Sequence, residues 1–211
     1  MRENRTAQIN SLSASEGVFT TAQAERLGVS RGTLAKACAA GRLRRIAHGA
    51  YRSAATTPSQ DDEVAAAWKL TAPGKFLHER MMRADWDGVV VGGTTAASLD
   101  GIGDFYATPI RMYAPKRIKT RNSDISISVR EIAWDDVSFD HGFAVTRMER
   151  TLVDLVLDDE DLSLVFDAYE DARSRRFDHA RLRQIVSGLP LRMKSKVING
   201  LDEMGATWRT G

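Results

Sequence analysis

The 211-residue sequence predicts an α+β protein: an amino-terminal winged helix-turn-helix domain, then a mixed α+β domain ending in several helices. Three observations predict it. Capped helical runs separated by glycines fill residues 6–40, and two short runs about a Gly-containing turn follow. Apolar and alternating runs of strand type cluster between residues 89 and 145. From Thr146 onward, apolar stripes recur at helical spacing.

In chain order, residues 6–15 read as a helix with Ile9 and Leu12 on one face. Thr21 is placed to cap Ala22–Leu27, and Gly28 follows where a left-handed residue is wanted. Ser30 caps a further helix from Arg31 to about Ala40, which Gly41 stops. Two helices joined by a tight Gly-containing turn make a helix-turn-helix. Leu43-Arg44-Arg45-Ile46 and Ala50-Tyr51-Arg52, joined through Ala47-His48-Gly49, read as a hairpin. Ser53–Gln60 is small, polar and contains Pro58, which marks a linker and sets the expected domains at 1–57 and 58–211. Ser59 is expected to start a helix with Asp61, Asp62 and Glu63 in its first turn, broken at Pro73-Gly74. Phe76–Ala84 is expected to be helical.

In the second domain, Val89-Val90-Val91 is a buried-type strand that Gly92-Gly93 ends, and Thr94 or Thr95 is expected to cap a helix through Leu99. Ile110–Ala114 and Ile125–Val129 read as strands, the latter with Ile125, Ile127 and Val129 on one face. Phe143–Val145 is a shorter piece. Thr146-Arg147-Met148-Glu149 has the form of a capping box. The stripes that follow are core by spacing: Met148, Leu152, Leu155 and Val156; Leu162, Val165, Phe166 and Tyr169; Leu182, Ile185, Val186 and Leu189; Val197, Ile198, Leu201 and Met204.

The net charge of +2 is unevenly spread. Residues 1–57 hold nine basic and three acidic side chains, a net of +6; the remainder holds 21 basic and 25 acidic, a net of −4. A basic head on an acidic body fits a polyanion partner, or is a solvated basic face without one. On the helix Arg31–Ala40, Leu34, Ala37 and Cys38 share one face and would pack with Leu27 and Val29. Gly32, Ala35, Lys36 and Ala39 form the opposite face, small enough to approach bases closely. In helix-turn-helix proteins the amino-terminal end of this helix enters the major groove. Arg31 and Lys36 are therefore the candidate groove contacts, with Ser30 and Thr33 as supporting donors to phosphate. The alternative is that both cations touch phosphate alone, as half or more of such bonds do. Arg42, Arg44, Arg45, His48 and Arg52 make the hairpin basic, suited to phosphates or a minor groove.

A second basic group lies in Arg111, Lys116, Arg117, Lys119 and Arg121, without an acid between them; it is a candidate partner or nucleic-acid surface, or a solvated face. Arg173, Arg175, Arg176, Arg181 and Arg183, with Lys194 and Lys196, form another. The sequence points away from an enzyme. Gly92-Gly93-Thr94 hints at a nucleotidyltransferase turn, but the following strands lack the paired carboxylates that would hold Mg²⁺. Asp158-Asp159-Glu160-Asp161 reads as a solvated cap for the next helix. No P-loop, Ser–His–Asp set or zinc spacing occurs, and no cofactor or metal is expected. A lone cysteine, Cys38, excludes an internal disulfide and reads as a small buried residue. With no apolar leader and no membrane span, a cytoplasmic protein is expected.

Gly17–Ala24, Gly28-Val29-Ser30-Arg31, Gly41-Arg42-Leu43 and His48–Arg52 together resemble the AbiEi family, antitoxins of type IV bacterial toxin–antitoxin systems. The likeness continues through Thr94–Ile102, Tyr113-Ala114-Pro115 with Arg117, and Thr146–Asp154 with Arg150-Thr151-Leu152, so that it spans roughly residues 16–175. The resemblance implies a winged-helix domain that binds double-stranded promoter DNA and represses its own operon. It implies that the carboxy-terminal domain counteracts a nucleotidyltransferase-like toxin, without requiring a stable complex. A stand-alone regulator with a ligand-sensing or dimerisation domain is the alternative.

Overall fold

The computed structural model describes residues 2–59, 61–175 and 177–209, with the side chains of residues 6 onward. The α+β expectation holds, and the chain forms two compact units: Met1–Val89 with Phe139–Ala144, and Val90–Ser138 with Val145–Gly211.

The first unit opens with α1 (Arg2–Glu16), β1 (Val18–Thr20), α2 (Thr21–Arg26) and α3 (Arg31–Ala39). Then come β2 (Leu43–Ala47), β3 (Ala50–Ser53), α4 (Asp62–Leu70) and α5 (Leu77–Arg80). Its sheet is antiparallel in the order β1-β3-β2. β1 was not expected from the sequence; it pairs Val18 with Arg52 and Phe19 with Tyr51, so the wing has three strands. The new strand moves the helix start one residue back. Thr20, not Thr21, caps α2: its hydroxyl accepts the Gln23 amide at 3.1 Å, and Gln23 Oε1 accepts the Thr20 amide at 2.8 Å. Ser30 caps α3 as expected, accepting from the Thr33 amide at 3.3 Å. Ile9, Leu12, Phe19, Ala24, Val29, Leu34, Ala37 and Leu43 form the core, whereas Leu27 stays 36% exposed.

α4 packs against this winged unit through buried polar chemistry. Glu16, 3% exposed in its side chain, accepts from Lys69 Nζ at 2.5 Å, from Gln23 Nε2 at 3.0 Å and from the Leu77 amide at 3.1 Å. Burial lowers the pKa of Lys69, and Glu16 opposes the shift. The expected helix over Phe76–Ala84 shrinks to α5 and a 3-10 turn at Arg83–Asp85. Arg80 is buried there, with its guanidinium 3.4 Å from the centre of the Trp68 ring and donating to the Trp68 carbonyl at 2.9 Å.

The second unit comprises β4 (Val90–Val91), α6 (Gly93–Asp100), β5 (Ile110–Ala114), β6 (Ile125–Val129), β7 (Val137–Ser138) and β8 (Val145–Thr146). Four helices follow: α7 (Met148–Leu157), α8 (Leu162–Arg173), α9 (His179–Gly188) and α10 (Leu191–Glu203). The sheet runs β6-β5-β4-β8-β7. β5 pairs with β6 and β4 with β8 in parallel, while β4–β5 and β7–β8 are antiparallel. The helical stripes bury as spaced: Leu152, Leu155, Val165, Tyr169, Leu182, Val197 and Leu201 are each 0% exposed in one core. Two expected caps differ. Gly92 is the N-cap of α6, and the Thr95 hydroxyl instead donates to the Ala107 carbonyl and accepts the Arg111 amide, both at 2.8 Å. Arg147 is the N-cap of α7 because Thr146 is still paired in β8; the Glu149 carboxylate accepts the Asp178 amide at 2.8 Å. Among the described residues no helix is long and apolar enough to cross a membrane.

Candidate nucleic-acid interface

α3 presents a small, cationic outer face. Leu34 and Ala37 are buried and Cys38 half-buried, which leaves Arg31, Gly32, Ala35, Lys36 and Ala39 exposed. Small side chains at 32, 35 and 39 keep that face flat enough to enter a groove about 12 Å wide. Arg31 is 79% exposed; its Nε donates to Glu25 Oε1 at 2.9 Å, and its two terminal amino groups remain turned to solvent. Lys36 has no ion pair among the described residues. The Ser30 and Thr33 hydroxyls lie 3.1 Å apart at the amino-terminal end of the helix.

The wing carries the other cations. Arg42 is exposed where the chain leaves α3 and enters β2. Arg44 donates to the Thr56 carbonyl at 3.0 Å, which draws it toward the segment after the wing. Arg45 Nη2 lies 2.6 Å from His48 Nδ1, so the arginine donates and the imidazole accepts. His48 is exposed at the tip, beside Gly49 at φ +84°, a conformation that glycine adopts without strain. Arg52 is placed differently. Its guanidinium is paired with Asp62 at the start of α4, and its Nε donates to Thr56 Oγ1 at 2.9 Å. Arg52 therefore fastens the wing to α4, a role the sequence did not signal. α2 is fastened likewise: Arg26 grips Glu79 with two bonds of 2.7 and 2.8 Å and holds the Glu79 carboxyl down to about 2.

In the second unit the five candidate cations separate into two kinds. Lys116, Arg117, Lys119 and Arg121 are exposed on the crossover between β5 and β6, without an ion pair among the described residues. Arg111 instead joins a half-buried network, 3.1 Å from Glu160 and 3.5 Å from Asp158. Arg130 bridges Asp154 at 2.9 Å and Asp158 at 2.6 Å, and stacks 4.4 Å from the centre of the Tyr113 ring. Tyr113 donates to Asp158 at 2.7 Å, and Arg150 grips Asp154 from one turn before it. Desolvation raises the pKa of Asp154 against the pull of Arg150, and it raises that of Tyr113 further. Of the acidic run expected to be a solvated cap, Asp161 does cap α8, accepting the Ser163 amide at 2.8 Å, but Asp158 and Glu160 serve this network. The described residues hold no group suited to a metal ion.

The network explains Gly92. A β-carbon there would stand 2.2 Å from the Tyr113 ring, which is 1% exposed and tied to Asp158. Gly92→Ala is expected to destabilise the chain by about 1–3 kcal/mol. A melting temperature within 1 °C of the parent, given roughly 2–4 °C per kcal/mol at this size, would refute the packing described.

Residues 7–54 match a family described as transcriptional regulators and AbiEi antitoxins. A crystal structure of the RV2827C protein from Mycobacterium tuberculosis is similar in fold, with 15% identity over 96% of this chain and 78% of that one, and a TM-score of 0.56. Comparison with curated proteins gives no match. The matched segment runs from α1 through α2 and α3 to the end of β3, so the winged part of this chain is similar to the AbiEi antitoxin transcriptional regulators.

Proposed function

We propose that this chain is a DNA-binding repressor of its own promoter and the antitoxin of a type IV toxin–antitoxin pair, opposing a nucleotidyltransferase-like toxin. DNA binding is assigned to residues 1–57 and the effector role to residues 58–211, of which 58–89 pack into the first compact unit; neither part is assigned catalysis. The observation that carries it is the outer face of α3. Arg31 and Lys36 stand exposed there among small residues, flanked by Arg42 and Arg45 of the wing, on the segment that matches the family.

In use, α3 would lie in the major groove with Ser30 and Thr33 at the phosphate edge. The terminal amino groups of Arg31 are free for the two acceptors on the edge of a guanine. The wing cations would follow the adjacent backbone. Lys116, Arg117, Lys119 and Arg121 are assigned a second contact surface for a nucleic acid or an acidic partner. Since the family match ends at residue 54, a stand-alone regulator with a sensing second domain is the competing reading.

Two measurements test this. Binding of the full chain to its promoter should weaken steeply with salt, the logarithm of the constant falling by about 0.9 per phosphate neutralised. A shallow dependence, equivalent to roughly one phosphate or fewer, would remove the groove-reading assignment. Co-expression with the neighbouring gene, scored for growth, separates the two readings: restored growth supports the antitoxin role, and a harmless neighbour supports the stand-alone regulator.

A further inference from the structure

The sheet of the second unit ends at β6 with an open edge. The Asp124 carbonyl accepts the Ile110 amide at 2.7 Å, and the Arg130 amide donates to the Ala114 carbonyl at 2.9 Å. Backbone groups alternate sides along a strand, so even-numbered residues from 124 to 130 turn toward β5. The amides of Ile127 and Val129 and the carbonyls of Ile125, Ile127 and Val129 then turn outward, and none finds a backbone partner among the described residues. The Ile125 amide alone is used, by the Asn122 carbonyl at 3.3 Å. Natural edges are guarded by charge, proline or a bulge. Ile125-Ser126-Ile127-Ser128-Val129 has no charge and no proline, its register with β5 is unbroken over five residues, and Val129 is 63% exposed.

We propose that β6 is a self-docking edge: two copies of this chain pair β6 with β6, antiparallel, about a two-fold axis through Ile127. A two-fold contact must complement itself, and the flanks of this strand do so. Ile127 meets its own copy and Ile125 meets Val129, while the Arg130 side chain takes no part, being held by Asp154 and Asp158. Glu131, exposed beyond one end, lies diagonal to Arg121, exposed beyond the other. Each copy therefore offers a base beyond one end of the strand and an acid beyond the other, and the two-fold axis brings them together twice. A uniformly acidic or basic foreign strand would leave half of these charges unmatched. The open backbone groups fit the same register. The Ile127 amide donates to the Ile127 carbonyl of the second copy, and the Val129 amide to its Ile125 carbonyl, giving four bonds in all. The β-branched pairs face one another as strand neighbours do in stable sheets.

The pairing is independent of the DNA-binding proposal, which a monomer would leave untouched. Sedimentation velocity of the full chain tests it at concentrations up to about 100 μM, since so short an interface implies weak association. The parent should shift from monomer to dimer with concentration. Val129→Lys, which adds a guard to both symmetric pairs, should raise the dissociation constant about tenfold or more. Arg121→Glu lies in an exposed loop that does not enter the core, so it remains informative should the lysine variant unfold. It should weaken pairing about threefold, and Glu131→Arg added to it should restore the parent value within about twofold. A parent that stays monomeric throughout overturns the proposal, and so does a dimer insensitive to both Val129→Lys and Arg121→Glu.

Discussion

Glu16→Ala is expected to cost the amino-terminal unit about 3–5 kcal/mol, the penalty of removing one partner from a buried ion pair. Lys69 is 2% exposed and would keep its charge with no acid to meet it. The side-chain amide of Gln23 would lose one acceptor and the Leu77 amide its carboxylate, so a single deletion strands donors from α2, α4 and the start of α5. Equilibrium urea unfolding of the full chain measures the loss, and a cost below about 1 kcal/mol would show that water replaces the carboxylate easily. Replacing both members, with Glu16→Leu and Lys69→Met, should cost much less than the single change, because no charge is then left buried. The pH dependence has a definite sign. Burial lowers the folded pKa of Lys69, so the unfolded chain binds the proton more tightly and stability rises with pH through the window below the ordinary lysine value. Without Glu16 the lowering grows. The variant should therefore recover stability relative to the parent as the pH approaches about 10.

What the sequence disclosed, and what it hid, follows the range of each interaction. Ser30 as a cap, Gly28 as a left-handed stop and His48-Gly49 as a turn are local devices, and each stands where spacing put it. The outward face of α3 was equally legible, because helical periodicity alone separates Leu34 and Ala37 from Ala35 and Lys36. β1 was hidden because three residues acquire strand form only by pairing with β3, 30 to 34 residues on. That pairing in turn displaced the cap from Thr21 to Thr20. Glu16 reads as one more acid at the end of a polar helix, since its burial is decided by Lys69, 53 residues away. Arg52 and Asp62 are ten residues apart across a polar segment, with no periodicity to join them. Asp158 sits in a run of four acids that has the composition of a solvated loop, yet Tyr113 reaches it from β5 and Arg130 from just past β6. Only Arg150 with Asp154 left a trace, an i, i+4 pair of opposite charge.

Arg31→Ala is expected to weaken binding to the cognate operator about 5- to 150-fold, the range of a lost bidentate contact to guanine. The same change should weaken binding to random DNA far less, by the share of one phosphate contact. The geometry behind this lies in how Glu25 holds the guanidinium. With Nε spoken for at 2.9 Å, the two terminal amino groups remain as a parallel pair, spaced for the two acceptors of a guanine edge. The ion pair itself is exposed and contributes little to stability, so DNA need not overcome a tight contact to engage the arginine. Arg31→Lys should not restore discrimination, since an ammonium carries charge without the fork. Lys36→Ala, one turn further along the exposed face, should lower specific binding by a smaller factor, because a lysine offers a single donor head. Fluorescence anisotropy with operator and scrambled duplexes at one fixed salt concentration separates the outcomes. An equal loss on both duplexes would make Arg31 a phosphate contact and leave base reading to other side chains of α3.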